Sequence, residues 1–153
     1  MPCFFQCPPV MTIHCALSTQ LIQRFAGNLP YIYVGDFNIK PDSSMYNLLT
    51  QGSLEATNPD LPPPLTGSDW KVDVKPMKSA YKEGLGKEPE FTNFAKSRDS
   101  DTFIDTLDYV FLSNEWRVES IEPLPDKASA VGPYPTEEEP SDHLLLAASL
   151  KLD

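Results

Sequence analysis

The sequence predicts an α/β fold, a sheet layer rather than a helical bundle, and three observations carry that expectation. Helical periodicity appears near the N-terminus and again after residue 42, while short aromatic and β-branched runs at 31–34, 107–112, 116–121 and 144–152 read as strands. Sixteen prolines against 7 glycines imply long, stiff connections rather than a helical bundle. The resulting order is helix, strand, helix, long loop, strand, strand, loop, strand, which favours a sheet layer with helices packed on it. The chain has 153 residues, enough for one domain and too few for two.

Taken in order, residues 1–9 hold Pro2, Pro8 and Pro9 and form an irregular entry, with Phe4 and Phe5 as packing anchors. Ile13, Ala16, Leu17, Leu21 and Phe25 fall at helical spacing, so a helix is expected over 11–26, ended by Gly27. Tyr31 to Val34 lacks polar alternation, as expected of a strand buried on both faces. A second helix follows, with Asp42 or Ser43 as N-cap, Met45, Leu48 and Leu49 inward, and Gly52 as its stop. Residues 53–90 are proline-rich and aperiodic and are expected to form one long loop, and the acidic stretch Pro133 to Pro140 is a solvated loop. No internal repeat is present.

The formal net charge of −10 argues against a broad basic surface for nucleic acid or anionic membranes, because Lys and Arg supply most non-specific affinity for phosphate. It leaves open a phosphate substrate held through a divalent cation. Cys3, Cys7 and Cys15 are an odd number, and with His14 they match no common zinc spacing, so reduced thiols are the expectation. There is no run of about 18 apolar residues and no signal-peptide pattern, so no membrane partner is expected and the compartment reads as intracellular, the cytoplasm first.

The residues that could carry chemistry sit at strand ends. Asp36 and Asn38 follow the first strand in Gly35-Asp36-Phe37-Asn38, Asp108 lies in the second, and Asp142 and His143 precede the last. Carboxylates and a carboxamide suit hard cations that take oxygen ligands, and a histidine beside aspartates suits proton transfer or phosphate contact. Blander roles compete: Asp36 and Asn38 can cap their own turn, Asp108 can be an edge-strand charge, and His143 can face solvent.

Together these motifs resemble the endonuclease/exonuclease/phosphatase family, the deoxyribonuclease I-like fold. The resemblance rests on Gly35-Asp36-Phe37-Asn38, on Leu107-Asp108-Tyr109-Val110-Phe111-Leu112-Ser113, and on Ser141-Asp142-His143. Phe91-Thr92-Asn93-Phe94, and Pro41-Asp42-Ser43 with Tyr46, Leu48, Leu49 and Gly52, are most similar to its deadenylase branch, the nocturnin-like enzymes. The resemblance implies the C-terminal half of a four-layer α/β/β/α sandwich, with a mixed or antiparallel sheet and flanking helices, and a single partial domain over residues 1–153. Complete members have about 200–250 residues or more.

It further implies a metal-assisted, in-line attack of water on a phosphodiester, with RNA as the expected substrate and Mg2+ or Mn2+ as cofactor. Asp36 would orient or deprotonate the water, Asn38 would hold a phosphate oxygen or the metal, and His143 would contact the scissile phosphate with Asp108 fixing its tautomer. Asp142, with Asp36, would sit at the cation. Asn93 would touch substrate, and Phe103 and Pro8 would stack on a base. The family's first half supplies a further Asn, a His and the principal metal-binding Glu, and this sequence carries no counterpart of that Glu. Self-association, or pairing with such a half, is the partner expectation, and RNA 3′ exonuclease activity stands beside two alternatives: an inactive binding remnant and a hydrolase of small phosphoesters.

Overall fold

The computed structural model describes residues 7–63, 71–96 and 101–153. The expected anchors Phe4 and Phe5 lie outside them, as does Cys3. Helix α1 spans Pro8–Ala26, followed by strand β1 (Ile32–Asp36) and helix α2 (Ser44–Gln51). Next come β2 (Lys78–Ser79), α3 (Ala80–Leu85), and the hairpin of β3 (Asn93–Ala95) with β4 (Phe103–Asp105). The chain closes with β5 (Asp108–Leu112), β6 (Trp116–Ile121) and β7 (Ala148–Leu152). Among the described residues every ladder between named strands is antiparallel: β1, β5 and β2 form one sheet with β5 central, β3 pairs with β4, and β6 with β7. This is the mixed α/β architecture with flanking helices that the sequence predicts.

The core lies between α1, α2 and one face of the first sheet. Met11, Cys15, Phe37, Ile39, Met45, Tyr46, Leu49, Met77, Tyr109 and Phe111 form one buried cluster. Its aromatic rings meet edge-on or offset, with Phe37 and Phe111 centroids 5.0 Å apart and T-shaped and Tyr109 stacked on Phe111 at 5.1 Å. Burial raises the Cys15 thiol to about 12, so it packs as a small apolar side chain.

Several expectations need correction. Helix α1 starts at Pro8, which suits the first helical position because its missing N–H is an orphan there. Its inward face holds Met11, Thr12, Cys15, Ala16, Thr19 and Gln23, whereas Leu17, Leu21 and Phe25 are 48%, 53% and 82% exposed. Gln23 ties this inward face to its neighbours. Its Nε2 donates to Tyr31 Oη at 2.8 Å and to the Lys75 carbonyl at 2.8 Å, and its Oε1 accepts from Lys75 N–H at 3.0 Å. A carboxamide so fully bonded is buried cheaply and pins the 71–77 segment to the helix.

Strand β1 is likewise not buried on both faces: Tyr33 packs on the core, while Ile32 and Val34 are 41% and 58% exposed. The expected loop at 53–90 is interrupted by β2 and α3, which are too short for periodicity to reveal and are set by tertiary contacts. Tyr81 is buried, donating through its hydroxyl to the Glu122 carbonyl at 3.1 Å and accepting from Ala147 N–H at 3.1 Å. The final strand begins at Ala148 rather than Leu144. Helix α2 forms as expected, with the Ser43 hydroxyl accepting from Tyr46 N–H at 3.2 Å and Gly52 closing it at φ +81°. Here only glycine fits, since a Cβ would lie 2.7 Å from the Val74 carbonyl oxygen.

Candidate active site

The site is built where β1 and β5 end side by side. Their antiparallel register sets Asp36 directly opposite Asp108, so both carboxylates lie on one face of the sheet, the face that also carries Ile32 and Val34. Phe37 turns the other way and is 2% exposed, and its N–H donates to the Leu107 carbonyl at 2.9 Å. That buried ring anchors the loop and leaves the residues on either side of it at the end of the β1–β5 ladder. Asp108 is therefore a central-strand residue, and the edge-charge role does not apply to it.

Like charges directly opposite on a sheet repel, and each carboxylate here is held by donors that offset this. Asp36 Oδ1 accepts from Asn38 N–H at 2.8 Å, and its Oδ2 accepts from Asn38 Nδ2 at 2.9 Å. Asn38 makes both bonds from the left-handed region at φ +53°, a conformation Asn tolerates better than most residues. The self-capping turn weighed from sequence is thus present, and it fixes the Asp36 carboxylate in one orientation.

Asp108 Oδ2 accepts from Thr92 Oγ1 at 2.7 Å and meets His143 Nδ1 at 2.8 Å. The carboxylate accepts, so Nδ1 carries the hydrogen and Nε2 is the ring nitrogen turned to other partners. Burial alone would lower the His143 pKa. The hydrogen bond and charge of Asp108, with Asp36 and Asp142 nearby, outweigh it and raise the pKa above the ordinary histidine value.

The segment carrying His143 is laced to β3. Phe94 N–H donates to the Asp142 carbonyl at 2.9 Å, Leu144 N–H to the Thr92 carbonyl at 2.8 Å, and Asn93 bridges His143. Asn93 is 4% exposed and its Nδ2 donates to the Asp142 carbonyl at 3.1 Å, so its side chain helps position Asp142 and His143. Phe103 lies on β4 opposite Ala95, with Lys40 Nζ 5.4 Å from its ring centroid. Pro8 opens α1, and its carbonyl accepts from Thr12 Oγ1 inside that helix at 3.1 Å.

Thr92 is the residue that residue-by-residue reading overlooks. Fully buried, its hydroxyl donates to Asp108 and accepts from the backbone N–H groups of Leu107 at 2.9 Å and Asp108 at 3.0 Å. Its only sequence signal is its place in Phe91-Thr92-Asn93-Phe94. The oxygen donors of Asp36, Asn38 and Asp142 suit a hard cation. Among the described residues, however, no three His, Cys, Asp or Glu side chains come together to hold one.

Comparison with known proteins supplies the context. The model of the Endonuclease/Exonuclease/phosphatase family matches residues 14–143. The CCR4-Not complex 3′-5′-exoribonuclease subunit Ccr4 of Aspergillus clavatus is 36% identical over 134 residues, 83% of this chain and 19% of that protein. The 2′,5′-phosphodiesterase 12 of Mus musculus is 30% identical over 127 residues, 80% of this chain and 20% of that protein. Among solved structures, the human nocturnin catalytic domain with bound sulfate aligns with a TM-score of 0.63 at 20% identity, covering 100% of this chain and 45% of that one. An endonuclease/exonuclease/phosphatase from Bacteroides vulgatus aligns with a TM-score of 0.55 at 24% identity, covering 94% of this chain and 44% of that one. The chain thus spans about a fifth of these curated relatives and less than half of these solved structures. Among the described residues no helix is long and apolar enough to cross a membrane.

Proposed function

We propose that this chain, which belongs to the endonuclease/exonuclease/phosphatase family, carries the C-terminal part of the active domain of a phosphodiesterase that removes nucleotides from the 3′ end of RNA, as a deadenylase does. The observation that carries this reading is the linked set Asp36–Asn38 and Thr92–Asp108–His143, gathered at the end of the β1–β5 ladder. The names of the Ccr4 and phosphodiesterase 12 relatives support the reaction class.

Enzymes of this family are generally divalent-metal dependent, and Mg2+ or Mn2+ is the ion we assign. Because the described residues do not complete a group of ligands, Asp36 and Asp142 would need further ones, and the roles that follow belong to the chain's own side chains. Asp36, locked by Asn38, accepts the proton of the attacking water or orients it. His143, held by Asp108 through Nδ1, presents Nε2 to a phosphate oxygen, and its raised pKa favours the cationic form that stabilises developing negative charge. Asn38 and Asn93 position this pair and the substrate, and Phe103 and Pro8 are the candidates for base stacking.

The apolar face carrying Ile32 and Val34 runs directly into the Asp36–Asp108 pair, so a partner packed on that face would also border the site. This supports association with a second polypeptide segment, the complementary half of such a domain or another copy of the chain. The incomplete ligand group favours a second reading, an inactive binding remnant.

Labelled oligoadenylate with Mg2+ or Mn2+ separates the readings. The expected result is binding, with slow release of 3′ nucleotides that Asp36→Ala and His143→Ala both abolish. Binding without any cleavage supports the remnant, cleavage confined to small phosphoesters moves the substrate class, and failure to bind or cleave any phosphodiester overturns the proposal.

A further inference from the structure

The loop leaving β1 carries a lysine that the catalytic assignment does not use. Lys40 Nζ stands 2.7 Å from Asp105 Oδ2 and 5.4 Å from the centroid of the Phe103 ring. Phe103 and Asp105 alternate along β4 and so share one face of the hairpin. Asp105 is paired in register with Asn93, the residue whose side chain holds the Asp142 carbonyl. The ammonium is therefore delivered to the flank of the site from one side by the Asp36–Asn38 loop and from the other by β4.

Its position is well determined at the backbone. Ile39, just before it, is 1% exposed, and its carbonyl accepts from the Tyr109 hydroxyl at 3.0 Å. The Lys40 carbonyl accepts from Ser43 N–H at 3.2 Å, and the following Pro41 restricts Lys40 to extended conformations. Asp105 is oriented by its other oxygen, which accepts from Thr106 N–H at 2.9 Å.

The pair itself is weakly committed. The Lys40 side chain is 51% exposed and that of Asp105 24%, and an ion pair so open to water is easily exchanged for a stronger anion. The electrostatics of the site favour such an exchange. Asp36 stands opposite Asp108, and Asp108 holds His143, on a chain of net charge −10, so an approaching polyanion gains from any cation at the rim.

We infer that Lys40 is a phosphate-binding residue of the substrate site. It takes a backbone phosphate of single-stranded RNA adjacent to the one met by His143, while Asp105 is the competing carboxylate that parks the ammonium over Phe103 when substrate is absent. The inference rests on the phosphodiesterase reading above and adds to it a substrate contact and an intramolecular competitor.

The test is binding of fluorescein-labelled single-stranded oligoadenylate to the whole chain at several salt concentrations, for wild type and for Lys40→Met, Lys40→Arg and Asp105→Asn, each checked for folding by circular dichroism. Lys40→Met weakens binding about fivefold, the scale of one partly exposed charge pair. It also lowers the slope of log affinity against log salt by about 0.7. Lys40→Arg keeps affinity near wild type, and Asp105→Asn tightens it. A purely structural ion pair gives the opposite signature, with Lys40→Met and Asp105→Asn weakening binding together and the salt slope unchanged, and that result overturns the inference. Wild-type binding that Lys40→Met leaves untouched overturns it while sparing the phosphodiesterase reading. Absence of wild-type binding overturns the inference, and the phosphodiesterase reading falls with it when no other phosphodiester is bound or cleaved either.

Discussion

Replacing Thr92 by Val tests whether the site is held by one buried hydroxyl. The two side chains have nearly the same shape, so the change removes an oxygen without opening a large cavity. Three bonds disappear: the donation to Asp108 Oδ2 at 2.7 Å and the two acceptances, from Leu107 N–H at 2.9 Å and Asp108 N–H at 3.0 Å. A hydrogen bond to a charged group contributes about 1.5–3 kcal/mol, and each buried donor left unsatisfied costs about 1–3 kcal/mol. Taking the low end of each, because the Asp108 side chain is 16% exposed and water can reach part of it, and crediting the new methyl with about 0.8 kcal/mol, the net loss is about 3 kcal/mol.

Urea unfolding reads this as a fall in midpoint of about 1.5 M for a slope of about 2 kcal/mol per molar. Thr92→Ser is the control that separates oxygen from shape. It keeps all three bonds and loses one buried methyl, so it costs about 1 kcal/mol. A Thr92→Val variant no less stable than Thr92→Ser would refute the assignment of the hydroxyl as the support of Asp108, and with it the account of how His143 is oriented.

Other perturbations follow from the same geometry. Gly52→Ala places a Cβ 2.7 Å from the Val74 carbonyl oxygen at φ +81°, so thermal unfolding should show a loss of about 2 kcal/mol or more, and a neutral substitution would mean the α2 stop is adjustable. Burial raises the Glu88 carboxyl above the usual range even though the Tyr46 hydroxyl donates to it at 2.6 Å. The native state then binds more protons than the unfolded one, so stability falls as pH rises through the unfolded and then the folded Glu88 pKa. Glu88→Gln keeps an acceptor for Tyr46 and should flatten that decline in urea midpoints as pH rises above the ordinary carboxylate range, and an unchanged slope would assign it to other groups. Finally, Leu21, Phe25 and Val34 are 53%, 82% and 58% exposed, so the isolated chain should associate in light scattering, and Leu21→Lys with Phe25→Lys and Val34→Thr should shift it towards monomer. A wild-type chain that is monomeric and unfolds cooperatively would count against an unmet partner surface.

What the sequence made legible divides along a physical boundary. Asp36, Asp108 and His143 could be picked out because each ends or borders a short apolar run, and antiparallel pairing of two such runs necessarily brings their opposite ends together. Helix α2 was legible for the same local reason, since Ser43 and Gly52 act within a turn of themselves. Where the partner lies far along the chain, local pattern gives the wrong answer or none. Gln23 ties α1 to Lys75, Thr92 matters because of Asp108, and Tyr81 fixes α3 through Glu122 and Ala147. The exposed Leu17, Leu21 and Phe25 are the most instructive of these. Their helical spacing announces the helix, and spacing alone reports only that three apolar side chains share a stripe. The structure seats the helix on its other side, through Met11, Cys15 and Ala16, so among the described residues the stripe faces outward. With Ile32 and Val34 beside the Asp36–Asp108 pair, the same argument reaches the site: an exposed apolar face runs into these two carboxylates. A segment packed on that face would therefore also border the site, so covering the apolar surface and shaping the surroundings of Asp36 and Asp108 are coupled by the β1–β5 register.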